Sequence, residues 1–305
     1  MDRDGEPGAT LRACLEAAGA APSVHNSQPW RFRLHGNTVE VLADRTRRLE
    51  VLDPTGRELM ISVGAAVLNL RVAILAHGRL PVLRLLPEPG DQTVAARIAL
   101  GPPVPPPDTA RLLAQAIPRR HTNRRPFAET PVPPEILDDL ARAAEAEGGT
   151  VTVAEPAERD AVLSLVRTAE HRRRGDPAYR TELEAWTREV PHRRDGVPPE
   201  AVGPWDALEV VPIRDFALVQ PARHRRPGRF ESEPTIAVLY TAGDAPREWL
   251  RAGLALERTL LTATVRGLAS TLMTQPLEIP QLRALLADSA GGRIAQAILR
   301  FGYGP

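Results

Sequence analysis

Between Ala21 and Phe32 the chain reads Ala-Pro-Ser-Val-His-Asn-Ser-Gln-Pro-Trp-Arg-Phe, which gathers a hydroxyl, an imidazole and two carboxamides within six residues. Such a set of neutral donors and acceptors suits a polar, planar ligand. The same residues also suit an Asx or Ser turn that merely joins a helix to a strand. A second set lies far along the chain, at Arg120-His121-Thr122-Asn123-Arg124. Guanidinium forks flanking a hydroxyl are the groups that hold a phosphate monoester and its attached polyol. An arginine-rich run is also what a solvated charge cluster looks like.

The elements that must position these residues follow from periodicity. Leu11 to Ala20 is helical in pattern and is stopped by Pro22. The loop then opens a hairpin, Trp30–Leu34 and Thr38–Ala43, around His35-Gly36-Asn37. Asp53-Pro54-Thr55-Gly56 is a turn and N-cap ahead of a long apolar helix, Arg57–His77, closed by Gly78. Strands are expected at Val82–Leu86 and Ala95–Leu100, followed by a semi-rigid proline tie over 101–107. Beyond that seam come helices at Arg111–Ala116, Pro134–Glu147, Glu158–Arg173 and Asp176–Val190, with a strand at Thr150–Val153. The pattern fails from Pro191 to Glu233, where prolines, glycines and arginines dominate, as in a lid or an insert. It returns with a strand at Thr235–Tyr240, helices at Arg247–Arg266 and Ile279–Leu286, and a strand at Gln296–Phe301.

Two stretches repeat. Gly64 to Gly78 and Gly253 to Gly267 enclose apolar helices of equal length, and each leads to a strand ending in glycine, at Gly101 and Gly302. This predicts an internal duplication whose halves meet at a pseudo-twofold.

Composition narrows the function classes. The chain has 305 residues, is 43% hydrophobic and 25% charged, and carries a net charge of +1, which fits a soluble globular protein with no polyanionic partner. No nucleic-acid or membrane partner is expected, because Leu59 to Ala76 carries Ser62, Asn69 and Arg71 and reads as a core helix. One cysteine, Cys14, and an N-terminus without an apolar h-region point to the cytoplasm. No metal-ligand pattern and no Rossmann glycine fingerprint stands out.

The Pro22-to-Trp30 segment resembles the Pro-Ser-x-x-Asn-x-Gln-Pro-Trp loop of the FMN-dependent nitroreductase family, and Arg120 to Arg124 with nearby Phe127 resembles its Arg-x-Ser/Thr-x-Arg/Lys phosphate segment. With the doubled layout, the chain is most similar to the Acg-like, internally duplicated branch. The resemblance implies an α+β, nitroreductase-like fold of two tandem half-domains, 1–107 and 108–305, forming a single-chain pseudo-dimer that is monomeric or pairs again as a homodimer. It implies one FMN per chain, bound by Pro22, Ser23, Val24 and Asn26 from one half and by Arg120, His121, Thr122 and Arg124 from the other. His25 and Gln28 could also touch ligand, with Gln28 and Trp30 more suited to fixing the loop. By the same resemblance Met273, Thr274 and Gln275 lie over the isoalloxazine, although Met273 is as readily a core filler. The implied activity is ping-pong oxidoreduction, from a donor such as NAD(P)H to a nitroaromatic, quinone or enone, with residues 191–233 as a lid. The alternative is a lidded protein that stores or sequesters FMN.

Overall fold

The computed structural model describes residues 6–188, 192–219, 226–287 and 292–304. The first part of the chain folds as helix α1 (Glu6–Gly19), strands β1 (Trp30–His35) and β2 (Thr38–Ala43), helix α2 (Arg57–Ala76), and strands β3 (Arg79–Leu85) and β4 (Val94–Pro103). The second comprises α3 (Asp108–Ala116), α4 (Pro134–Glu145), β5 (Thr150–Val153), α5 (Pro156–Arg174) and α6 (Pro177–Thr187). It continues through the two-residue strands β6 (Trp205–Asp206) and β7 (Pro227–Gly228) to β8 (Thr235–Thr241), α7 (Pro246–Val265), β9 (Ala269–Leu272), α8 (Pro280–Ala284) and β10 (Ile294–Gly302).

Two antiparallel four-stranded sheets result, ordered β1-β2-β4-β3 and β5-β8-β10-β9. In each, a 20-residue helix links the second strand in sequence to the third, α2 in one and α7 in the other. Both helices are followed by a glycine in the left-handed region, Gly78 at φ 74° and Gly267 at φ 76°, which turns the chain into the next strand. The Arg57–Ala76 helix is long and apolar enough to cross a membrane, but it is almost wholly buried between α1, the first sheet and α7.

The two long helices cross with their backbones in contact. A Cβ on Gly64 would lie 2.2 Å from the Leu250 carbonyl oxygen, and one on Gly253 would lie 2.0 Å from that of Ile61 and 2.8 Å from the Gly64 Cα. Only glycine permits so close an approach, and the crossing brings the cores under the two sheets together. Leu250, Leu254 and Leu261 of α7 reach into the cluster under the first sheet, while Ile61 of α2 reaches into the one under the second.

The second part carries what the first lacks. Val162, Leu163 and Val166 of α5 cover the outer face of its sheet at Ile236, Val238 and Ile298. Tyr179 and Leu183 of α6 pack with Leu49, Leu52, Val197 and Phe216, which joins the irregular stretch after α6 to the loop before α2. Two local expectations change. β4 runs on to Pro103, into the proline tie, and Ala269–Leu272 is a strand paired with β10 where none is evident from the sequence.

Candidate functional site

The 22–28 loop is held in a conformation that side chains seldom adopt. His25, Asn26 and Gln28 lie at φ 49°, 53° and 47°. The Ser23 hydroxyl accepts the Gln28 N–H at 2.9 Å, and the Ser62 hydroxyl, itself donating to the Glu58 carbonyl at 2.7 Å, accepts the Val24 N–H at 3.4 Å. Together they pin the loop to the first turns of α2 and turn the His25 ring inward until it is 5% exposed.

The 120–127 segment is fixed from the other side. Asn123 N–H donates to the Ser270 carbonyl at 2.8 Å, and the Thr271 hydroxyl donates to the Asn123 carbonyl at 2.5 Å. The buried Arg300 guanidinium lies 3.7 Å from the Phe127 ring centroid and pairs with Glu231, which also accepts the Phe127 N–H at 2.9 Å. A cation held between a ring and a carboxylate in this way anchors the segment to β10.

Loop and segment face one another across a cleft of about 310 Å³. Pro22, Ser23, Val24 and Asn26 line one side, Arg120, His121, Thr122 and Arg124 line another, and Thr274 closes an end. Met273 and Gln275 do not line it. Met273 is a core residue packed with Val162, Ile236 and Ile298, and Gln275 is buried with its carboxamide toward the Pro212 carbonyl. Past β9 the backbone leaves the strand and winds into a single 3-10 turn at Gln275–Glu278, which sends the side chains of 273, 274 and 275 in different directions.

Residues 192–219 form the third wall, through Gly196, Val197, Pro198, Ala201, Arg214 and Phe216. This cover is tied to both parts of the fold. The Asn26 carboxamide donates to the Gly196 carbonyl at 3.0 Å and Gln28 to that of Arg194 at 2.8 Å, while Arg47 pairs with Asp195 at 2.6 Å. On the far side Arg124 donates to the Ala201 carbonyl at 2.8 Å and lies 4.8 Å from the Phe216 ring centroid. Arg214 forms a buried pair with Glu278 and donates to the Tyr179 hydroxyl at 3.1 Å. Residues 191 and 220–225 of the expected lid lie outside the described residues.

The cleft is rich in cations. Arg120 donates to the Ala20 carbonyl at 3.3 Å and stands 3.6 Å from the wholly buried Glu257, yet its Nε has no hydrogen-bond partner. Burial raises the Glu257 carboxyl to about 7, against the opposing pull of Arg120 and Asn69. Glu58, in the cleft wall, is raised to about 7 by burial too, despite Arg57. His25 is driven the other way, well below its ordinary value, by burial and then by Arg214 and Arg124, so its ring is neutral.

A carboxyl whose folded value is raised binds its proton more tightly in the native state. The stability Glu257 contributes is therefore complete below its unfolded value near 4.5 and is lost as pH climbs toward 7. Glu257→Gln removes that loss, so in thermal melts of cofactor-free protein from pH 5 to 8 its Tm should decline less steeply than the wild type's. Parallel curves would show that Glu257 is ionised throughout.

Glu58, Arg214, Phe216 and Glu257 escape a sequence reading of this site. The signal for the two glutamates is a lone acid in an otherwise apolar helical run, which needs a partner or a proton. For Arg214 and Phe216 no local signal exists, because the irregular stretch carrying them has no periodicity.

Residues 117–303 match the model of the Nitroreductase family. The "Putative NAD(P)H nitroreductase Rv3131" of Mycobacterium tuberculosis is 36% identical over 302 residues, covering 97% of this chain and 86% of that protein. The "Putative NAD(P)H nitroreductase acg" of the same organism is 32% identical over 297 residues, covering 97% and 89%. The FMN-dependent nitroreductase NfnB from Mycobacterium smegmatis, solved in complex with NADPH, is 18% identical over 65% of this chain and 89% of its own, with a TM-score of 0.38.

Proposed function

Since the chain belongs to the nitroreductase family, we propose that it is an FMN-dependent oxidoreductase that takes electrons from a nicotinamide donor and passes them to a small organic acceptor in the same cleft. The observation that carries this is the convergence of Arg120, Thr122 and Arg124 with the 22–26 loop around one cavity, although about a hundred residues separate them in sequence.

The donor set suits a phosphorylated flavin. Arg120 has an unsatisfied buried Nε, and Thr122 lines the same cleft, as a phosphate and a polyol chain require. His25 and the small residues Gly19, Ala20 and Ala21 leave room for a planar ring system against α2. When bound, FMN supplies the electron-carrying chemistry, accepting a pair from one partner and releasing it to the next. The protein's part is binding, orientation and exclusion of water. Arg120 and Arg124 supply fixed positive charge, favouring the reduced, more negative state of the site. The cover shields the cleft, and Phe216 and Val197 present its apolar side. Donor and acceptor enter in turn, giving ping-pong kinetics.

Purified protein should be yellow with one FMN per chain, and anaerobic NADPH or NADH should bleach it within seconds, with colour restored by a quinone. A colourless protein that takes up no FMN overturns the reading. The anchored cover favours a second reading, an FMN-storing protein of little turnover, and bleaching by dithionite alone would establish it. The Arg47–Asp195 pair lies outside the cleft wall, so Arg47→Ala should loosen the cover and speed bleaching severalfold. An unchanged rate would remove the cover from the argument.

A further inference from the structure

We propose that Glu58 delivers the proton that completes reduction of the acceptor, drawing it from a second cavity that opens to solvent beside the first turn of α2. The assignment rests on the oxidoreductase reading above and adds to it the group that supplies the proton.

The reaction calls for such a group. A nicotinamide donor releases two electrons and one proton as it is oxidised, whereas a quinone becomes a hydroquinone by taking up two electrons and two protons. The stoichiometry, NAD(P)H + H⁺ + quinone → NAD(P)⁺ + hydroquinone, draws one further proton from solution at each turnover. That proton is consumed in a cleft covered by residues 192–219. Arginine does not release a proton. Both His25 ring nitrogens are buried, and His121 is exposed in the segment assigned to the phosphate. Glu58 is the only carboxyl in the cleft wall among the described residues.

Its position joins two spaces. Beside the first turn of α2 lies a second cavity of about 310 Å³, walled by Asp53, Leu277 and Ile294 and reaching the surface at the exposed Pro54, Thr55 and Ala284. Among the described residues Glu58 alone lines both this cavity and the cleft. Its Oε1 pairs with Arg57, its Oε2 has no hydrogen-bond partner among the described residues, and 7% of the side chain's surface stays open. A proton taken up on one side can therefore leave on the other.

The charges around Glu58 suit it to the task. Arg57 stands beside it on α2, Asp53 precedes the helix, Glu278 lies ahead of α8, and Arg214 comes from the cover. Burial raises the carboxyl to about 7 against the pull of Arg57, with Asp53 and Glu278 adding to the rise and Arg214 opposing it. Asp53, raised by its own burial to about 6, is a second proton-exchanging group on the solvent side. An acid poised near neutrality both gives up and regains its proton readily. Negative charge that the cleft gains on reduction tightens the hold of Glu58 on that proton. Glu58 is thus loaded before the acceptor arrives, and is discharged when the acceptor's oxygen takes the proton.

The test is anaerobic: protein bleached by NADPH is mixed with menadione from pH 5.5 to 9, and the return of colour is timed. The wild-type rate should fall about tenfold per pH unit beyond a break at or above pH 7. Glu58→Gln should recolour about a hundredfold more slowly, the low end of what a positioned acid contributes, and its rate should show no break. Glu58→Asp should regain part of the rate and the break. Ala284→Trp, which narrows the second cavity from outside the cleft, should keep its FMN and bleach normally yet recolour severalfold more slowly. In cofactor-free protein, infrared titration should show a protonated-carboxyl band lost near pH 7 that is missing from Glu58→Gln and present in Glu257→Gln. A wild-type rate or an unshifted break in a yellow Glu58→Gln protein overturns the assignment, as does a carboxyl band unchanged by that substitution. If Glu58→Gln holds no FMN, Ala284→Trp decides, and normal recolouring there overturns the route. A wild-type protein that takes up no FMN, even with the carboxyl band present, brings down the oxidoreductase reading and this assignment with it.

Discussion

Gly253→Ala should unfold the protein well below the wild-type melting temperature, with a loss of about 3 kcal/mol or more. The added methyl carbon would sit 2.0 Å from the Ile61 carbonyl oxygen and 2.9 Å from the Ala65 nitrogen, both backbone atoms of a buried stretch of α2. Neither can swing away as a side-chain tip would. Alanine's better helix propensity returns only about 1 kcal/mol. Relief therefore requires α7 to move off α2, which opens the cores under both sheets. Gly64→Ala meets the same obstacle from the facing helix, with the Leu250 carbonyl oxygen 2.2 Å away. The two losses should not add, because either one alone already separates the helices. Chemical denaturation would read both, and a Gly253→Ala midpoint equal to wild type would mean the backbones are not in contact.

Arg120→Ala should strip the cofactor, raising the FMN dissociation constant by about a hundredfold to ten-thousandfold, since two charge-assisted hydrogen bonds are worth about 1.5–3 kcal/mol each and every 1.4 kcal/mol is tenfold. Its side chain is one-tenth exposed, lies against Ala20 and Glu257, and lines the cleft together with Ser23. Removing it also strands Glu257, which takes up a proton more readily once the countercharge is gone. Arg120→Lys keeps the charge without the planar fork and should fall between the two. The double variant Arg120→Ala with Glu257→Gln separates the effects, because it should regain stability but not FMN. Full flavin occupancy in Arg120→Ala would place the phosphate elsewhere.

Where the sequence speaks most clearly is where it departs from its surroundings. The 22–30 loop is too polar for its apolar neighbours, and the arginines at 119, 120, 124 and 125 crowd together just past an amphipathic helix, so both stand out in the sequence. The long helices are visible through their apolar runs and the glycines that follow them. The four residues of β9, Ala-Ser-Thr-Leu, are short and half polar, and they are a strand because β10 lies beside them. Thr274 reaches the cleft while Met273 and Gln275 turn away, a distinction carried by backbone direction and not by residue type. Asn26 and Gln28 are legible as polar loop residues, but that they hold residues 194–196 depends on a stretch without periodicity. Buried acids such as Glu257 are readable only as anomalies, since their partner lies across the fold.

The chain passes from the 22–26 wall through β4 and α3 to the 120–124 wall without a break. A ligand site shared between separate subunits is lost when the subunits are diluted apart. Here the covalent tie keeps the local concentration of one wall about the other constant, whatever the amount of protein in solution. The share of molecules with a finished binding site is accordingly the same at nanomolar as at micromolar protein.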